Sequence, residues 1–114
     1  MSEPDVFDRL MEQIQVRVRD LPEGSYTTKL LRAGRLKIGA KILEEVLEAT
    51  VASGEPGEAG RRHLVSEASD VLYHLWVLLG SCGVGVDELR GELARREGVS
   101  GIEEKKRRGE GRAE

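Results

Sequence analysis

"KILEEVLEATVASGEPGEAGRRHLVSEASDVLYHLWVLLGSC", running from Lys41 to Cys82, decides the fold of this 114-residue chain. Its opening continues a pattern from Lys37 to about Ser53 in which Ile38, Ile42, Val46, Leu47 and Val51 recur at helical spacing. Three glycines and a proline in "SGEPGEAG" interrupt the pattern. It resumes from about Arg61 to Cys82 with Leu64, Val65, Ala68, Val71, Leu72, Leu75, Trp76, Leu78 and Leu79. Two long amphipathic helices with a short connection predict an antiparallel hairpin.

Outside the hairpin, "PDVFDRLMEQIQVRVRD" sets Val6, Leu10, Ile14 and Val18 four apart, with Phe7 and Met11 alongside. That is an amphipathic helix, stopped by Pro22 and Gly24. "SYTTKLLRAG" predicts a short helix with Ser25 as N-cap and Gly34 as stop. After "CGVG", a last helix is expected from Val86 to about Glu97, with Leu89 and Leu93 inward. Asp87 and Glu88 fall in its first turn, where they complement the helix dipole. The remainder, "GVSGIEEKKRRGEGRAE", is charged and glycine-rich, and its last residues are expected to be disordered. No strand alternation and no repeat is present. The expectation is all-α: one domain over residues 1–97, built as a long hairpin with flanking helices, and a charged tail over 98–114.

Composition narrows the function. Acidic residues outnumber basic ones by 21 to 18, so a general nucleic-acid surface is not expected. A single cysteine, Cys82, cannot form an internal disulfide, which suits a reducing cytoplasm. No apolar run approaches the ~20 residues that span a bilayer, so no membrane partner is expected. "VLYHLWVLL", Val71 to Leu79, is apolar on more than one face. A helix apolar on several sides must be covered on several sides. The expectation is a homodimer in which two hairpins form a four-helix bundle.

The hairpin also brings acids together. With about 1.5 Å of rise per residue, Glu48 and Glu67 lie roughly 7 and 9 Å from the turn, and Glu45 and Asp70 roughly 12 and 13 Å. Glu45 and Glu48 are i,i+3 neighbours on one helix, as are Glu67 and Asp70 on the other. Four carboxylates can therefore converge, with Glu44 beside them, placed to bind metal through water or to accept a proton. Such an oxygen-rich, anionic pocket suits Mg²⁺, which takes octahedral oxygen ligands and bridges to phosphates. The competing reading is a solvated acidic helix face, and geometry alone names no reaction.

"SYTTKLL", "KILEEVLEA", "SEASDVLYHLWVLL" and "SGIEEK" together resemble, in order, the segments of the phosphoribosyl-ATP pyrophosphatase family, among the all-α MazG-like nucleotide pyrophosphatases. The shared EExxE and ExxD patterns read here as Glu44, Glu45 and Glu48, then Glu67 and Asp70. The resemblance implies hydrolysis of phosphoribosyl-ATP to phosphoribosyl-AMP and pyrophosphate in histidine biosynthesis, with Mg²⁺ (or Mn²⁺ in its place). It implies Glu45, Glu48, Glu67 and Asp70 as metal ligands, with Glu44 joining or assisting. Leu43 departs from the family's frequent glycine before the paired glutamates, and "RRGEGRAE" extends past its pattern.

Lys29, Lys41, His74, Lys105 and Arg108 are the candidates for binding the nucleotide substrate. For His74 a core role competes, and for Lys105 and Arg108 a solvated charge run does. Two other functions use the same sequence differently. One is a house-cleaning pyrophosphohydrolase acting on free nucleoside triphosphates. The other is a helical interaction module without chemistry.

Overall fold

The computed structural model describes residues 3–99 and 101–113. The first residue of "SGIEEK", Ser100, lies outside them, as do residues 1 and 2 of the expected domain and residue 114 of the expected tail. Six helices follow one another: α1 (Val6–Asp20), α2 (Tyr26–Ala33), α3 (Arg35–Ala52), α4 (Gly57–Ser81), α5 (Val86–Arg95) and α6 (Gly101–Ala113). Among the described residues there is no strand.

Local chemistry sets the helix ends. The Asp5 carboxylate accepts from the backbone N–H groups of Phe7 and Asp8, while Asp8 accepts from the Asp5 N–H. This reciprocal cap satisfies donors that the first turn leaves unpaired. Ser25 caps α2, as expected, by accepting from Thr28 N–H. Gly34, with φ +96°, lets α2 stop and α3 start on adjacent residues. Here α3 begins at Arg35, two residues before the expected Lys37.

The larger boundary correction is α4, which starts at Gly57 and not near Arg61. Its glycines read as a loop, yet Gly60 is inside the helix for a steric reason. A Cβ at Gly60 would collide with the backbone carbonyl of Glu55. The extra turn thus packs on the Ser53–Pro56 connection itself. The level pairing of the acids across the hairpin consequently survives the shift.

α3 and α4 form the hairpin, and α1 crosses the second half of α4. At the crossing a Cβ on Gly80 would come within 2.8 Å of Ile14 Cγ2, so the helices meet there because Gly80 has no side chain. The core joins Met11 and Ile14 of α1, Leu30 of α2, Ile38 of α3, Trp76 and Val77 of α4, and Val86 of α5. The indole of Trp76 donates to the Phe7 carbonyl at 3.0 Å, so the ring is buried with its polar edge satisfied.

Two expectations change. The tail is helical from Gly101 to Ala113, where its last residues were expected to be disordered: among the described residues α6 is a charged helix that packs on none of the other five. Its only large apolar residue, Ile102, is fully outward. Val71–Leu79 is covered only in part within the chain, by α1, α2 and α3: His74, Trp76 and Val77 are buried, and the other six residues are half-buried. The exposed apolar face lies elsewhere. Leu36, Leu43, Leu47 and Val51 stand out from α3, with Val65 from the first half of α4. Leu36 is 82% and Leu47 68% exposed. Among the described residues no single helix is long and apolar enough to cross a membrane.

Candidate active site

Carboxylates from both arms of the hairpin do converge. One oxygen from each of Glu45, Glu67 and Asp70 lies within 4.8 Å of the others. Glu45 is buried on α3, Glu67 half-buried on α4, and Asp70 at the exposed mouth. Glu67 Oε2 is buried with no hydrogen-bond partner. A buried anionic oxygen without a donor is costly, and it fits a divalent cation well, since hard oxygen ligands are what Mg²⁺ selects.

Glu48 is exposed and faces Glu67. Hydrogen bonding with the Glu67 carboxyl, then repulsion from its charge, pushes the Glu48 pKa up. A cation between the two carboxyls would remove that repulsion. Glu44 is also exposed, but turns to Lys41, whose Nζ lies 3.6 Å from Glu44 Oε2. The negative charge of Glu44 raises the Lys41 pKa. His63 sits at the rim between Glu55 (2.8 Å) and Glu67 (3.4 Å), and the hydrogen bond to Glu55 raises its pKa.

The neighbouring carboxylates "EEVLE" thus have three different surroundings. Glu44 pairs with a lysine, Glu48 meets another acid, and Glu45 meets a histidine. His74 Nδ1 lies 3.4 Å from Glu45 Oε1.

Lys29 and Lys41 line an open cleft of about 380 Å³ between α2 and α3, together with Tyr26, Leu30, Ala33, Lys37 and Glu44. Sequence reasoning did not single out Lys37. Its i,i+4 spacing to Lys41 was the available signal, because it places two cations on one helix face. His74, expected to meet substrate, is only 5% exposed. Its ring nitrogens are engaged by Tyr26 and the Asp70 carbonyl, so it offers the cleft no free polar edge. Lys105 and Arg108 are exposed on α6, which the single chain does not bring to the hairpin.

"SYT" and "YH" interlock. Tyr26 bonds His74 and Thr27 bonds Tyr73, both through side chains that link α2 to α4. Two consecutive polar residues in each segment were the signal of this pairing, visible only once the helices were docked.

Fold and site together define an all-α protein whose helical hairpin carries an acidic cluster fitted to a divalent cation. Residues 7–97 match the family model of phosphoribosyl-ATP pyrophosphohydrolase, and the chain belongs to that family. It is similar to the phosphoribosyl-ATP pyrophosphatase of Rhodopirellula baltica, at 52% identity over 87% of this chain and 82% of that one. With the enzyme of the same name from Nitrosospira multiformis it shares 43% identity over the whole chain and 92% of the relative. It also resembles part of a histidine biosynthesis bifunctional protein of Wolinella succinogenes, at 43% identity over 90% of this chain and 44% of that protein.

Proposed function

We propose that the chain hydrolyses phosphoribosyl-ATP at its α–β phosphoanhydride, releasing phosphoribosyl-AMP and pyrophosphate in histidine biosynthesis. The observation that carries the reading is the convergence of Glu45, Glu67 and Asp70 around a buried, partnerless oxygen. Those three residues, joined by Glu48, would hold Mg²⁺, with Mn²⁺ as a substitute. When bound, the ion supplies charge neutralisation on the polyphosphate and a lowered pKa for water. Glu44 stays at the rim, oriented by Lys41, and accepts the proton of the attacking water. Lys29, Lys37 and Lys41 offer positive charge along the cleft for the second ribose phosphate, which ATP lacks. Lys105 and Arg108 add charge from α6 when substrate binds.

The exposed stripe of α3 supports a homodimer. Leu36, Leu43, Leu47 and Val51, with Val65, are too contiguous and apolar for a solvated face. Two hairpins joined there make a four-helix bundle, with Leu43 in its seam. A cytoplasmic setting agrees with a nucleotide substrate and a lone thiol.

The test is a comparison of kcat/KM for phosphoribosyl-ATP and plain nucleoside triphosphates. A preference of at least a hundredfold for phosphoribosyl-ATP is expected. Neutralising Lys29 and Lys41 should raise KM for it far more than for ATP. Comparable values for both substrates would overturn the reading in favour of a house-cleaning enzyme. Absence of a carboxylate-dependent Mn²⁺ site would favour an interaction module.

A further inference from the structure

We propose that Tyr26 and His74 position the Glu45 carboxylate for the divalent cation, through an imidazole whose tautomer Tyr26 sets. The inference rests on the cation reading above. His74 Nδ1 is 2.8 Å from the Asp70 carbonyl oxygen and 3.4 Å from Glu45 Oε1. Two acceptors face this nitrogen, so it carries the hydrogen. Nε2 then presents a lone pair, and the Tyr26 hydroxyl donates to it at 2.9 Å. Edge-on contacts with Tyr26 (5.8 Å between centroids) and Tyr73 (5.2 Å) hold the ring plane. The Thr27–Tyr73 hydroxyl bond ties α2 to α4 a second time.

One ring therefore touches the side chain of one proposed ligand and the backbone of another, while anchoring a third helix. Glu45 is 8% exposed and shares its space with two other carboxylates. The Nδ1–H bonds the Asp70 carbonyl, and its positive end, 3.4 Å from Glu45 Oε1, draws that oxygen toward α4 and leaves the other for the ion. Without the Tyr26 hydroxyl the Nε2–H form becomes accessible, and a lone pair would then face the Asp70 carbonyl and the Glu45 carboxylate. That repulsion would rotate either the ring or the carboxylate. Tyr26 and His74 are positioning residues, since neither has to touch substrate to act in this way. Partners of this kind orient ligands and commonly change metal affinity by roughly 10–100-fold.

The experiment uses the full chain, metal-free and then titrated with Mn²⁺ followed by electron paramagnetic resonance. His74→Gln moves the donor away from Glu45 and should weaken Mn²⁺ binding by about tenfold or more. His74→Asn keeps an N–H near the Nδ1 position and should restore affinity to within about threefold of the original. Tyr26→Phe removes one oxygen from a half-exposed side chain and should weaken binding several-fold. In ¹⁵N spectra of the metal-free protein, Tyr26→Phe should also turn a single Nδ1–H signature of His74 into a mixture. If His74→Gln fails to fold, Tyr26→Phe decides the matter by both readouts. Unchanged Mn²⁺ affinity in Tyr26→Phe and His74→Gln, with binding intact in the original chain, would overturn this inference alone. Absence of Mn²⁺ binding in the original chain would overturn the cation reading and this inference with it.

Discussion

Glu67→Gln separates a site built for a cation from an ordinary acidic surface. Glu45 and Glu67 have side chains only 10% and 15% exposed, with oxygens within 4.8 Å of each other. At an effective dielectric constant of 20, two charges at that distance repel by about 3.5 kcal/mol. Solvent at the exposed Asp70 mouth screens part of this repulsion, so roughly 1–2 kcal/mol should be recovered on removing one charge. The amide also brings an N–H to the place where Glu67 Oε2 has no partner. Metal-free Glu67→Gln should therefore melt several degrees above the original, since about 1 kcal/mol corresponds to roughly 4–8 °C in a small domain. With Mg²⁺ the order should reverse. A ligand that binds only the folded state stabilises it by RT ln(1 + [L]/Kd), and so raises Tm as its concentration rises. The original chain should gain Tm with increasing Mg²⁺ while the variant stays flat, and turnover should fall by at least a hundredfold. Scanning calorimetry in chelator and then in Mg²⁺ reads both effects. A variant that melts lower without metal and still climbs with Mg²⁺ would refute the reasoning.

Leu47→Glu should convert a dimer to monomer in light scattering. Leu47 is 68% exposed in the single chain, a twofold interface loses it twice, and roughly 3 kcal/mol per dimer is about a hundredfold in Kd. Dimers persisting at low micromolar concentration would exclude the α3 stripe as the interface. Deleting the residues after Arg108 should leave kcat/KM within about twofold, measured on phosphoribosyl-ATP, because α6 packs on no other helix. Arg90→Ala should raise the Asp8 pKa from about 2 toward 3.8, followed by carboxyl NMR, since the Arg90 hydrogen bond is the main cause of the lowering. A lowered carboxylate pKa contributes stability above its unfolded value that is lost as pH falls through the folded one. The original should therefore lose Tm between about pH 4 and pH 2, and the variant should show a shallower loss there.

The sequence by itself determined the first five helices and the three carboxylates that converge. Apolar spacing names the face of each helix, and Glu45 with Glu48, like Glu67 with Asp70, shares a face through an i,i+3 step whatever the neighbours do. Ser25 and Gly34 were legible because capping and positive φ depend on a few adjacent atoms. Gly60 was misleading for the opposite reason: its role depends on Glu55 approaching through a turn, and composition cannot register a close approach. The burial of His74, Trp76 and Val77 within Val71–Leu79 depended on where α1 and α2 dock, which periodicity does not specify. The same docking decided which histidine faces which acid. His74 was visible as a histidine on an apolar helix, and the Asp70 carbonyl on one nitrogen comes from its own helix, but only the packing of α2 against α4 put Tyr26 on the other. Local periodicity is written in backbone geometry over a few residues, whereas hydrogen bonds between residues 48 apart exist only after helices have been brought together.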